Sequence, residues 1–376
     1  MNALIGAVLS ELRAIGAIFD ALLNDVKELS VTGPRARFCL SATVSVAVAT
    51  IVALAMRLDN VWWAAISAFV CSQATSPASV VKGVLRVTGT IAGALIGLSM
   101  ASWLAYDQAA CCLFLLLATS IGVLGFQLSP HGYAWLLGAI TFNMIILMSL
   151  TAPQETFNIA AYRTMEVVVG VVIAVLAALL LARQDGAPAP SPAPGWSSLF
   201  AAHWPAALYA LRSGVTVMLI PLVWSWFELP SLSQMAITVT AVMAVPAPSD
   251  SATDPGRLLA TRAIHRLFGC LLGGIVALVC LAMPLTQFLP WLLTLCAGVW
   301  VGCHLQTSPR GIGYAGTQAT IVFIMTLVQG FGPPTSIWPG LDRLGGILFG
   351  VLLLLAVSFA MAALEPSPPM ARADIE

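Results

Sequence analysis

The feature that most constrains this chain is a run of long apolar segments with little sequence between them. A helix that crosses a bilayer needs about 20 mostly apolar residues. Only 9% of the residues are charged, whereas an ordinary soluble domain carries roughly 25%. The chain therefore predicts an all-α polytopic membrane protein with about 12 transmembrane helices. The predicted segments lie at approximately 38–57, 61–75, 80–105, 108–127, 132–151, 157–182, 205–227, 231–247, 256–282, 287–305, 312–330 and 338–363.

Self-comparison predicts that these segments form two repeats. The sequence from Arg86 to Gly93 recurs, in degraded form, from Arg266 to Gly273, and the same spacing pairs Arg163 with Arg343. An even number of spans in each half makes the repeats parallel, with the pathway between them. The expected domains are an amphipathic N-terminal helix (1–34), a first six-span repeat (35–183), a Pro/Ala/Ser-rich linker (184–204), a second six-span repeat (205–364) and a C-terminal tail (365–376).

The N-terminal segment places apolar residues at helical spacing opposite charged ones, which is typical of a helix that lies in the membrane surface. Most Lys and Arg residues near the predicted span ends fall on one side if the N-terminus is cytoplasmic. Both termini are therefore predicted to be cytoplasmic.

Several function classes are disfavoured by the residues. The 16 basic and 16 acidic residues balance, so no field for binding nucleic acid is present. The eight cysteines form no metal-ligand pattern, and no nucleotide-binding or hydrolase motif occurs. We expect no cofactor, no metal and no enzymatic activity.

Four arginines at membrane depth, each costly to bury, are the main candidate site residues: Arg86, Arg163, Arg266 and Arg343. An uncompensated guanidinium that faces a cavity is a receptor for a carboxylate, whose two oxygens match its planar fork. Alternatively, Arg86 and Arg266 lie close enough to their helix starts to reach the membrane surface. From the residues alone, both interpretations stay open.

Further candidates surround these arginines. The helix break from Gln73 to Pro77 precedes a new helix start, which favours anions, although an ordinary turn explains it too. Trp63 is an aromatic residue for stacking on a substrate ring, or a packing residue. Glu166 lies one turn after Arg163 and is predicted either to pair with it or to carry protons. His265 is a second proton-coupling candidate.

Two motifs carry a family resemblance: Trp62-Trp63-Ala-Ala-Ile-Ser-Ala, and Arg86-Val-Thr-Gly-Thr-Ile-Ala-Gly-Ala after the Ser76-Pro77 break. With them the chain resembles the fusaric acid resistance protein family, which includes bacterial aromatic acid exporters, and is distantly similar to the plant aluminium-activated malate transporters. The second half keeps only traces, from Gln234 and from Arg266.

The resemblance implies an efflux transporter in the bacterial inner membrane, driven by the proton gradient, that exports organic anions such as aromatic carboxylates. It also implies a periplasmic adaptor as a partner besides membrane lipids, and we expect a monomer or a homo-oligomer. A passive organic-anion channel is the first alternative, and a membrane scaffold or lipid-handling protein is the second.

Overall fold

The structure is a computed structural model that describes residues 16, 18–181, 195–198, 204–227, 229, 231–244, 255–283, 285–334 and 336–364. Nearly all of these residues are helical. The α-helices in chain order are α1 (18–27), α2 (Pro34–Ala55), α3 (Val61–Cys71), α4 (Ser76–Leu104), α5 (Gln108–Leu128), α6 (Gly132–Thr151), α7 (Thr156–Leu181), α8 (Trp204–Phe227), α9 (Leu232–Met243), α10 (Pro255–Leu281), α11 (Phe288–Gln306), α12 (Gly313–Leu327) and α13 (Trp338–Leu364).

Nine helices in the described part of the chain are long and apolar enough to cross a membrane. The helical class is thus confirmed, but three of the predicted spans are shorter than predicted. Helices α3, α9 and α12 have 11, 12 and 15 residues. At 1.5 Å per residue, α3 rises only about 16 Å, roughly half of the hydrocarbon core.

The sequence after α3 explains its early end. Ser72 and Thr75 are extended, and Pro77 lies in the first turn of α4, where its missing N–H costs nothing. The backbone N–H of Gln73 donates to Ser79 Oγ at 3.0 Å. This hydrogen bond joins the first turn of α4 to the non-helical segment before it. The predicted break from Gln73 to Pro77 is therefore confirmed. Residues 245–254, which follow α9, lie outside the described residues.

Small residues set the closest helix packing. A Cβ added to Gly89 or Gly93 of α4 would collide with the backbone of α6, at Ala134 and Gly138 respectively. Glycine lets these two backbones touch, as is common between membrane helices. Gly269 and Gly273 of α10 pack in the same way on the backbone of α12.

Four helix pairs make most of the contact between the first and second halves of the chain. Helix α2 packs on α11, and α5 packs on α8. In the centre, the short helix α3 contacts α12, and the short helix α9 contacts α6. Both short helices therefore lie where the halves touch, and their ends line the spaces between the halves.

The bundle has two ends. The starts of α2 and α4 and the end of α11 share one end with α1, which we call the α1 face. The loops before α3 and α9 share the other end, the opposite face. On α1, Ile18 and Leu22 are buried against the second half, while Phe19 and Leu23 are exposed. That α1 lies in the membrane surface stays a prediction, and most of residues 1–17, the linker and the tail from 365 fall outside the described residues.

Candidate functional site

A polar cavity of about 170 Å³ lies between the two halves near the opposite face. It is bounded by α3, α6 and α7 of the first half and by α9 and α13 of the second. The side chains that give it its chemistry are Trp62, Trp63, Arg163, Glu166, Gln234 and Arg343. Four of the residues predicted for the site, Trp63, Arg163, Glu166 and Arg343, therefore meet here.

Arg163 is the central cation of this cavity. Its side chain is 2% exposed, and its Cζ lies 3.3 Å from the centroid of the Trp63 ring, a cation–π contact. Its Nε and Nη1 are buried without a hydrogen-bond partner within the described residues. A buried donor without an acceptor costs about 1–3 kcal/mol, and more when it is charged. The guanidinium is thus prepared to donate two hydrogen bonds to an anion.

Arg343 enters the same cavity from the second half. Its Cζ lies 4.6 Å from the Trp62 ring centroid, and its Nη1 donates to the carbonyl oxygen of Met325. The rings of Trp62 and Trp63 are themselves only 4.0 Å apart. Two arginines that are 180 positions apart in sequence therefore flank one pair of tryptophans.

Glu166 does not form the predicted ion pair with Arg163. Its Oε1 accepts the backbone N–H of Asn60 at 2.7 Å, and its Oε2 is buried without a partner. Arg163 instead extends along the face of Trp63. Because Asn60, at the start of α3, holds one oxygen of this carboxyl group, the other oxygen stays without a hydrogen-bond partner in the described part of the chain. The ion-pair prediction is wrong, and the proton-carrier alternative is left standing.

Arg86 does not reach the membrane surface either. Its side chain is 4% exposed, its Nε donates to Ser67 Oγ at 3.0 Å, and its Nη1 donates to the hydroxyl of Tyr133 at 2.7 Å. It therefore ties α4 to both α3 and α6. No carboxylate of the described residues lies within ion-pair distance of it.

Arg266 has a similar environment in the second half. It is 6% exposed, and it donates to Gln318 Oε1 at 2.6 Å and to Thr238 Oγ1 at 3.1 Å. Its Nε is buried without a partner in the described part of the chain. The surface-reaching interpretation is wrong for both arginines, since each guanidinium is held inside by neutral oxygens.

Gln73 and His265 lie away from this cavity. Gln73 lines a second cavity of about 480 Å³ on the α1 face, where its amide donates to the carbonyl oxygens of Val70 and Ser72. His265 is half-buried on α10 and makes no hydrogen bond through its ring to any described residue. The structure therefore does not bring these two candidates to the arginines.

Sequence reasoning missed the other members of the cavity, among them Asn60, Trp62 and Gln234. In the second half, Gln234 takes the position that Trp63 has in the tryptophan motif. The two residues are 171 positions apart, whereas the repeated arginines are 180 apart, so a comparison at the arginine spacing does not align them. The traces of the tryptophan motif from Gln234 were the signal that could have found it. Among the described residues, no group of three or more His, Cys, Asp or Glu side chains could hold a metal ion.

The long apolar helices define a multi-pass α-helical membrane protein, with a buried cationic cavity between its halves. Residues 35–193 match the profile of the fusaric acid resistance protein family. This part of the chain is similar to that family, in agreement with the resemblance that its tryptophan and arginine motifs carry.

Two curated relatives carry the name "Uncharacterized transporter YdhK". The chain is 28% identical over 164 residues to the protein from Salmonella typhimurium, a match that covers 40% of this chain and 22% of the relative. It is 29% identical over 168 residues to the protein from Escherichia coli K12, covering 41% and 23%. The match thus spans less than a quarter of the relatives' length. No solved structure is significantly similar to the chain.

Proposed function

We propose that the protein is a membrane transporter that exports organic anions, in particular those that carry a carboxylate beside an aromatic ring. The observation that carries the proposal is Arg163, a buried guanidinium with two unpartnered donors in a cavity between the halves. Its match to proteins named as transporters supports the same class. A bound carboxylate would supply the acceptors that Arg163 lacks.

The proposed architecture is two six-helix repeats, 35–183 and 205–364, with the pathway between them. The pairing of helices supports it, because α2 packs on α11 as α8 packs on α5. Likewise α3 contacts α12 as α9 contacts α6. If the two halves are exchanged, the α2–α11 contact becomes the α8–α5 contact, and the α3–α12 contact becomes the α9–α6 contact. This is expected for repeats related by an axis along the membrane normal.

The proposed location is the bacterial inner membrane, with the α1 face towards the cytoplasm. Lys82 and Arg310 both lie at this face, in agreement with the positive-inside rule. The cavity at Arg163 then lies nearer the periplasm, and the cavity at Gln73 opens to the cytoplasm. Membrane lipids, a periplasmic adaptor and a second copy of the chain are the proposed partners.

The cavity suits a small aromatic carboxylate. A cavity of about 150 Å³ in another protein holds benzene, so about 170 Å³ accommodates one ring with its carboxylate. The Trp62 and Trp63 rings provide flat apolar walls next to the cations. Arg86 and Arg266 are proposed to donate hydrogen bonds to the carboxylate when it lies deeper in the pathway.

Export is proposed to be coupled to protons through Glu166, whose free oxygen lies in the cavity. A passive channel is the second candidate, because an anion leaves a cell down its membrane potential, by about 2.3 kcal/mol per charge per 100 mV. In an exporter coupled to proton entry, proton and anion occupy the site in turn. In a channel, no such exchange occurs.

Flux of benzoate through proteoliposomes, with and without a pH gradient and at zero membrane potential, tests the proposal. We expect accumulation against the benzoate gradient only when the pH gradient is imposed. Downhill flux that is indifferent to pH would replace the transporter by the channel. Benzoate flux equal to that of protein-free liposomes would contradict both.

A further inference from the structure

Helix α1 precedes the first half in sequence, but it packs against the second half. Ile18 and Leu22 pack against Leu305 and Ile312, which flank the loop between α11 and α12, and against Phe268 of α10. Since residues 28–33 join α1 directly to α2, the segment crosses from one half to the other on the α1 face. We call residues 18–33 the strap.

A buried charge pair fixes the strap to the second half. Asp25 is fully buried, and its Oδ1 accepts from Arg310 Nη1. Arg310 Nη2 donates to Glu28 at 2.6 Å, and Arg35 Nη2 lies 3.8 Å from Asp25 Oδ1. Breaking one partner of such a pair is costly, because the other charge is left buried.

His304 of α11 forms the second attachment. Its Nδ1 lies 3.0 Å from the carbonyl oxygen of Trp300, and its Nε2 lies 3.1 Å from the carbonyl oxygen of Ser30 in the strap. Carbonyl oxygens only accept, and a neutral imidazole carries a single N–H. Both contacts are hydrogen bonds only when the ring is protonated. In the neutral ring, one nitrogen lone pair faces an oxygen.

Arg35 links this attachment to the cavity on the α1 face. Its Nε donates to Thr307 Oγ1 at 2.9 Å, and its Nη2 donates to the carbonyl oxygen of His304. Arg35 and Thr307 also line the cavity of about 480 Å³ that holds Gln73. The strap therefore closes over the contact between α2 and α11 at the edge of that cavity.

We propose that the strap is a proton-operated latch: protonation of His304 fastens Ser30 to α11 and holds the α1 face closed, and loss of the proton loosens it. The charged groups around the latch are Asp25 and Glu28 of the strap, Arg35 of α2 and Arg310 of the loop. Their charges cancel, so the imidazolium adds one net positive charge to this group of residues. The latch itself does not depend on the proposed function. Only the statement that a closed α1 face would stop an anion from entering the pathway rests on that function.

Hydrogen exchange of the strap amides in the full chain, in nanodiscs at pH 6 and pH 8, tests the latch after correction for intrinsic exchange. We expect the protection of the strap to fall about tenfold at pH 8, the loss of about one charge-assisted hydrogen bond. His304→Gln should remove this dependence on pH. His131→Gln, which changes an exposed histidine outside the latch, should keep it.

Arg310→Gln provides an independent variant, because it removes the partner of Asp25 and should expose the strap at both pH values. Equal corrected protection of the wild-type strap at pH 6 and pH 8 would overturn the latch, and this comparison needs no variant. Retained pH dependence in His304→Gln would overturn the role of His304. Exchange involves no transport, so these outcomes are separate from the benzoate flux.

Discussion

At the scale of single residues, Arg163 is a charged group that is costly to keep in the interior. The fold compensates part of this cost with the face of Trp63 and leaves two donors unused. Arg86 and Arg266, by contrast, are largely satisfied by neutral oxygens of the protein. Among Arg86, Arg163 and Arg266, Arg163 has the most buried donors without a partner in the described residues, which is the physical reason to place the anion there.

Arg86→Lys and Arg266→Lys test whether the deeper arginines take part in recognition. Lysine keeps the charge but lacks the planar fork, so we expect benzoate affinity to fall tenfold or more, with the larger effect at Arg86. Titration calorimetry on purified variants of confirmed fold measures this. Unchanged affinity in both would remove Arg86 and Arg266 from the site and leave them a structural role between helices.

Glu166→Gln separates proton coupling from structure. The amide oxygen of glutamine can still accept from Asn60 N–H, so the melting temperature should change little. The side chain can no longer carry a proton, so benzoate accumulation driven by a pH gradient should be lost. A folded variant that keeps this accumulation would assign the proton to another group, and a large drop in melting temperature would indicate a structural carboxylate.

The sequence was sufficient to select Arg163, Arg343, Glu166 and Trp63, because charge and aromaticity at membrane depth are visible in it. It was not sufficient to orient them. Arg163 and Glu166 are one turn apart, yet one extends to Trp63 and the other to Asn60. The partners of Arg163 and Glu166 are set by the packing of α3 against α7, which brings together residues that are distant in sequence.

At the scale of helices, close contact between α4 and α6 holds Arg86 against Tyr133. The stripe of glycines on α4 makes this contact possible. The sequence predicted the helix break between Gln73 and Pro77 from its Ser-Pro step, but it overestimated α3 by four residues, since 72–75 contain no Gly or Pro that would end the helix earlier.

Gly93→Ala should destabilise the protein, because the added Cβ collides with the backbone of Gly138. Overpacking of this kind costs about 1–3 kcal/mol, so we expect a lower melting temperature in detergent. Gly332→Ala is the matched control, since nothing lies within 4 Å of its added Cβ. Equal melting temperatures for both variants would show that α4 and α6 are farther apart than described.

At the scale of the whole molecule, the two halves are joined at α2–α11 and α5–α8 and leave a polar cavity in the centre. Most of the helix boundaries were predictable, because hydrophobicity sets them, whereas the two repeats stay a prediction. The docking of the strap on the second half was not predictable. It depends on Asp25 and Arg310, which are 285 positions apart and share no pattern.

Binding of benzoate to the purified protein, followed through tryptophan fluorescence, tests the central claim that Arg163 holds an organic anion beside Trp62 and Trp63. We expect saturable binding that Arg163→Lys weakens tenfold or more, because an ammonium cannot offer the same two donors. Benzamide, a neutral molecule of the same shape, should bind far more weakly. Equal affinity for benzoate in the wild type and in Arg163→Lys, or equal affinity for benzamide, would contradict the account.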